Sequence, residues 1–168
     1  MTPKIVSGVS HARFIQAQQL VSEFAYRVDI LRGRTVEELF TEDGYYEADG
    51  RRSSGRDAIR KAYELRSARG PRTSRHLFTN LRLAEVDSKI LRATLIMLLF
   101  AHDGEGVFAA QPILVSDVDD EYAIGSDRSL EIRSRRLTTV FVDPSLKPIL
   151  PLGHETNGHE DLGPIEPS

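Results

Sequence analysis

Between Ser74 and Leu83 the side chains alternate in character, with Leu77, Thr79, Leu81 and Leu83 to one side and His76, Phe78, Asn80 and Arg82 to the other. A period of two predicts a strand. Further strand-like runs follow at Lys89 to His102, Val107 to Val118 and about Leu130 to Val142. Tight connections near Asp87-Ser88, at Asp103-Gly104-Glu105-Gly106 and around Gly125 to Asp127 join them, which predicts an antiparallel meander.

Upstream the period changes. Phe14, Ala17, Leu20, Val21, Phe24, Val28 and Leu31 recur at helical spacing behind a capping Ser10, and Gly33 ends the run. Thr35 is placed to cap a second, short helix from Val36 to about Thr41, with Glu37 and Glu38 in its first turn. A turn at Glu42-Asp43-Gly44, a short strand Tyr45 to Ala48 and a loop through Gly55 follow. A third helix is predicted from Arg56 to about Ala68, with Ala58, Ile59, Ala62, Tyr63 and Leu65 as its apolar side and Gly70-Pro71 as its stop. Helices first and a long sheet after them make an α+β domain over residues 1–143. Residues 144–168, rich in Pro and Gly without periodicity, read as a separate tail.

Composition narrows the function classes. A chain of 168 residues, 40% hydrophobic, is the size of one domain with a sizeable core. The net charge of −3 gives no reason to expect nucleic acid or an anionic membrane as partner. The absence of cysteine removes disulfides, thiolate metal sites and cysteine nucleophiles. The longest apolar run, Leu95 to Ala101, is too short to span a bilayer, and the first residues lack a signal pattern. A cytoplasmic protein is the expectation.

Candidate chemistry sits on the first helix and the first long strand. Asp29 falls at the edge of the apolar stripe beside Val21 and Ala25, with Tyr26 next to it. Alone, such a carboxylate reads as a solvated rim residue, and a strand histidine such as His76 as a satisfied structural one. Arg133 and Arg135 share one strand face and Arg136 the other, a pattern that suits a solvated face or a subunit contact. Asp117, Asp119, Asp120 and Glu121 read as loop surface, without the spacing and glycine of a calcium loop. His154-Glu155-Thr156-Asn157-Gly158-His159 has one residue too many between its histidines for the helical zinc motif, so no metal site is expected.

Taken together, Tyr26-x-x-Asp29, Leu39-Phe40-Thr41-Glu42-Asp43, Gly55-Arg56-Asp57-Ala58-Ile59 and His76-x-x-Thr79-Asn80 resemble the SnoaL-like family of the nuclear-transport-factor-type cone fold. The resemblance runs from about Ala12 to Val142, and implies a curved antiparallel sheet with three N-terminal helices closing a cone. Scytalone dehydratase, bile-acid 7α-dehydratase, dehydrochlorinase and polyketide cyclase-like proteins are similar in this arrangement. In the enzymes an Asp of the first helix and a His of the strand form an acid–base pair, at positions matched here by Asp29 and His76.

An Asp that accepts one imidazole N–H fixes the tautomer and leaves the other nitrogen free as a base. The implied activity is a cofactor-independent lyase or isomerase acting on a small, largely apolar, cyclic substrate by dehydration, double-bond shift or cyclisation. Tyr26, Tyr45 and Tyr46 are the candidate acids, Tyr26 foremost by its closeness to Asp29. Asn80 is expected to orient His76 or the substrate, and Val21, Phe78 and Leu95 or Ile96 to wall the pocket. The fold also hosts non-catalytic ligand binders and oligomer-forming subunits, which is the alternative. Its outer sheet face implies a homodimer or homotrimer.

Overall fold

The structure, a computed structural model, describes residues 8–143, so the tail and its histidine motif lie outside the described residues. Helix α1 (His11–Asp29) begins where its cap predicts, with Ser10 Oγ accepting the Arg13 N–H at 3.3 Å. It buries Ala17, Leu20, Val21, Phe24 and Val28, while Phe14 stays largely exposed. After Asp29 the chain unwinds through Arg32 and Gly33 at φ of 57° and 86°, and the Gly33 N–H closes onto the Arg27 carbonyl at 2.8 Å.

The second helix predicted from Val36 is a single 3-10 turn, Val36–Leu39. Phe40 then takes up an extended conformation and buries its ring against Phe24, which leaves too few residues for an α-helical turn. Thr35 makes no side-chain cap. Two α-helices, not three, therefore accompany the sheet. Strand β1 (Phe40–Ala48) starts earlier than predicted, and β2 (Arg51–Ser54) occupies the expected loop as its hairpin partner. Helix α2 (Arg56–Ser67) turns Ile59, Ala62 and Tyr63 inward and leaves Leu65 exposed.

Strands β3 (Arg72–Glu85), β4 (Ile90–Asp103), β5 (Leu114–Ile124) and β6 (Leu130–Val142) form the expected meander. The whole sheet runs β2-β1-β6-β5-β4-β3, and β1 lies parallel to β6, so the curved sheet is mixed rather than antiparallel. Residues 107–113 form a loop where a strand was predicted, and Val107 is fully exposed. Pro112 has no N–H for a ladder, and Ala109-Ala110 lacks the alternation that would bury one face.

Both helices cover one face of the sheet and share its core with Phe40, Leu91, Leu95, Val118, Tyr122 and Ile132. Leu95 faces this core. Among the described residues no helix is long and apolar enough to cross a membrane.

Gly33 fixes how α1 meets α2. A Cβ there would lie 2.6 Å from Tyr63 Cδ1, at a backbone conformation that side chains resist. Gly33→Ala should lower stability by about 1–3 kcal/mol in urea unfolding. Gly8→Ala, with nothing within 4 Å, should leave the midpoint unchanged, and equal effects of the two would contradict this packing.

Candidate active site

Strand β3 is an edge of the sheet, so alternate N–H groups on it have no ladder partner. Asp29, the last residue of α1, supplies one: its Oδ2 accepts the His76 backbone N–H at 2.7 Å. Its Oδ1 accepts from Ser74 Oγ at 2.7 Å and meets the His76 ring Nδ1 at 2.7 Å. An ionised carboxylate only accepts, so Nδ1 carries the proton in this pair. Nε2 makes no hydrogen bond among the described residues, and His76 lines the cavity that the cone encloses.

Both groups are buried, with 5% of the Asp29 side chain and 12% of the His76 side chain exposed. Burial opposes charge on Asp29, but hydrogen bonds from His76 and Ser74 outweigh it and hold the carboxyl below its ordinary 3.8. Burial pushes His76 below its ordinary 6.5 although the Asp29 bond pulls the other way. The imidazole is thus neutral near pH 7, with a free lone pair on Nε2.

The cavity is narrow, with a volume of about 40 Å³, and opens to solvent at its mouth. Met97, Leu99, Ile113 and Leu137 give it apolar walls. Tyr46 and Tyr63 face it with ring centroids 6.3 Å apart, and neither hydroxyl has a hydrogen-bond partner among the described residues. Burial pushes the Tyr46 phenol up to about 12, with Arg135 and Arg66 pulling it back only in part. Burial raises Tyr63 further still. Both remain donors at neutral pH. A neutral imidazole and two protonated phenols therefore line one cavity of mixed polar and apolar walls.

The structure sorts the residues that the sequence singled out. Tyr46 lines the cavity, but Tyr26 is 49% exposed on the outward side of α1. Tyr45 lies on the outer sheet face, under the Arg52 guanidinium at 3.9 Å, its hydroxyl accepting from Arg136 at 3.1 Å. Val21 is core, and Phe78 packs edge-on to Phe24 at 6.1 Å, behind the cavity wall. Asn80 is not on the His76 face. It occupies a bulge at φ 56°, exposed, where the β3–β4 register shifts between Thr79 and Arg82. The bulge exchanges the faces beyond it, so Leu81 and Leu83 point inward although Leu77 and Thr79 point out.

A second bulge undoes the reading of the arginines. Tyr122 pairs with Ile132 and Glu121 with Ser134, which makes Arg133 the extra residue. Arg135 then faces inward, fully buried, in a bidentate pair with Asp120 at 2.9 and 2.6 Å; Asp120 also accepts from Tyr122 at 2.6 Å. Asp120 is thus interior strand rather than loop surface. The Arg135 guanidinium lies 4.1 Å from the Phe24 centroid and 5.0 Å from that of Phe78.

Sequence reasoning also passed over Ser74, Tyr63, Arg66, Asp49 and Thr139. Ser74 was findable as the residue two before His76 on the same face. The others depend on register and on the α1–α2 contact.

Acid should weaken the fold in two stages. The unfolded chain binds a proton at His76 near pH 6.5 more readily than the folded chain, so stability falls as pH drops below 6.5 toward the lower folded value. Asp29 contributes stability above 3.8 that is lost as pH falls through its depressed folded pKa. His76→Gln should abolish the first stage in urea unfolding at stepped pH and keep the second. A midpoint that is flat from pH 6.5 down to the carboxylate range in the unmodified protein would contradict the buried neutral imidazole.

Comparison with known proteins places this geometry. Residues 15–136 match the family model described as the SnoaL-like domain. No curated protein sequence matches. Among solved structures, a Catenulispora acidiphila protein in complex with S-DNPA is 24% identical over 77% of this chain and 95% of its own, with a TM-score of 0.68. ActVI-ORFA from Streptomyces coelicolor is 21% identical over 75% and 96%, with a TM-score of 0.67. A scytalone dehydratase-like protein from Novosphingobium aromaticivorans is 19% identical over 86% and 96%, with a TM-score of 0.68. At these identities the likeness to solved structures is one of fold, whereas the family model spans most of the described residues: the chain belongs to the SnoaL-like domain family.

Proposed function

We propose that this protein is a cofactor-independent lyase or isomerase that works by proton transfer within the cone. His76 Nε2 takes a proton from a carbon next to a carbonyl or leaving group. Asp29 holds the tautomer and balances the imidazolium that forms. Tyr46 replaces Tyr26 as the helper, its protonated phenol donating to the oxygen on which negative charge develops or departs. The observation that carries this reading is an imidazole committed through Nδ1 to a buried carboxylate, with Nε2 unbonded and its ring lining the cavity.

The apolar walls favour a small, mostly hydrophobic substrate. Solved structures of the same fold include one bound to S-DNPA and one that is scytalone dehydratase-like, which supports a dehydratase or cyclase type of reaction here. Assembly into two or three copies through the outer sheet face accords with the exposure of Leu77 and Phe141 there.

Deuterium uptake from D₂O into the α-carbons of cyclic ketones such as 2-tetralone, followed by proton NMR, tests the proton step without knowledge of the natural substrate. The protein should accelerate exchange, and His76→Ala should lose about 10²–10⁴ of that acceleration. Tyr46→Phe should lose about 10². No acceleration across a panel of such ketones by folded protein would favour a passive ligand-binding cavity instead.

A further inference from the structure

The inward stripe of α2 runs Ile59, Ala62, Tyr63 and then, three residues on, Arg66. A guanidinium thus stands where helical spacing would continue an apolar face. Arg66 is half-buried and lines both the cavity that contains His76 and the adjoining cleft at its rim. Arg32 and Arg72 share that cleft. Their charges are matched: Arg32 pairs with Glu105, and Arg72 with Asp103 at 2.6 Å. Arg66 has no carboxylate partner among the described residues, and its one hydrogen bond is to Ser74 Oγ at 3.4 Å.

The carboxylates nearest the cavity are already committed. Asp49, on the wall, accepts the Thr139 N–H at 2.8 Å and the Thr139 hydroxyl at 2.7 Å. Asp29 reaches Arg66 only through Ser74, and both its oxygens are taken by Ser74 and His76. Once His76 holds a proton, Asp29 balances the imidazolium, and Arg66 is left as the cation of the site with no carboxylate in direct contact among the described residues. A half-buried guanidinium whose fork meets no carboxylate directly keeps its donors available to an arriving anion.

We infer that the substrate carries a carboxylate, seated on Arg66 at the rim, with its apolar body between the tyrosines and Met97, Leu99 and Ile113. The inference rests on the reading of this cavity as a substrate site and adds the class of substrate. A single free guanidinium suits a monoanion. A phosphate dianion would bring excess negative charge close to Asp29 and Asp49. The planar fork of Arg matches a carboxylate through two parallel hydrogen bonds. The local positive rim also opposes the chain's overall charge of −3, so it is not a by-product of a basic surface.

Calorimetric titration with 2-naphthoate and with 2-naphthamide, which differ little except in charge, tests this directly. The carboxylate should bind at least about 10-fold tighter than the amide, a gap of about 1.4 kcal/mol. Arg66→Gln should bring the carboxylate down to the amide's affinity and leave the amide unchanged, while Arg66→Lys should keep part of the preference. His76→Ala should lose the proton exchange proposed above yet keep the preference, so the two readings fail separately. A carboxylate that binds no tighter than the amide, absence of binding by both included, overturns the inference. So does a preference that survives in Arg66→Gln.

Discussion

The carboxylate of Asp29 does two jobs that cannot be separated. It closes the end of α1 onto the edge strand by taking the His76 backbone N–H, and with its other oxygen it takes the Ser74 hydroxyl and the His76 ring. Hydrogen bonds to a buried charge are each worth about 1.5–3 kcal/mol, and an unpaired carboxylate in this position would be expensive. The backbone bond sets where β3 lies against α1, and the ring bond sets which way the imidazole points. Position and tautomer of the imidazole are thereby fixed by one side chain. The same contact occupies Nδ1 and leaves Nε2 without a hydrogen bond among the described residues, on a ring that lines the cavity.

Around that anchor the cone distributes its remaining buried charge. Arg135 and Asp120 neutralise each other deep in the sheet, with Tyr122 on the same carboxylate and the rings of Phe24 and Phe78 against the guanidinium. Arg135 Nη1 is buried without a hydrogen-bond partner among the described residues. Arg135 and Arg66 both act on His76 and Tyr46, and in both cases burial is the larger effect. Burial lowers the basicity of the imidazole and raises the pKa of the phenol. Each group stays neutral at working pH, one as acceptor and the other as donor, without a metal ligand set among the described residues.

What the sequence could disclose followed from periodicity. The helical stripe ending at Asp29, the strand carrying His76 and the α+β order of elements needed no long-range information, and the spacing of the family segments joined the pair. What escaped it was set by single extra residues. Asn80 and Arg133 each occupy a bulge, and one inserted residue exchanges every side chain beyond it between core and solvent. That is why unbroken alternation sets Asn80 beside His76 and Arg135 on the surface, where the structure does not. The second helix failed because burial of Phe40 outweighed the local capping signal at Thr35. The parallel β1–β6 pairing joins residues some ninety positions apart, such as Tyr46 and Arg135, which no local pattern encodes.

The central claim is the state of one imidazole, and nitrogen NMR of the protein labelled with ¹⁵N-histidine reads it directly. At pH 7.5 His76 should show a protonated Nδ1 and an unprotonated Nε2, the latter moving when a ligand enters the cavity. Asp29→Asn should abolish the single-tautomer signature. A protonated Nε2 in the unmodified protein, or an imidazolium at that pH, would contradict the account, because the free acceptor lone pair on Nε2 would then be absent.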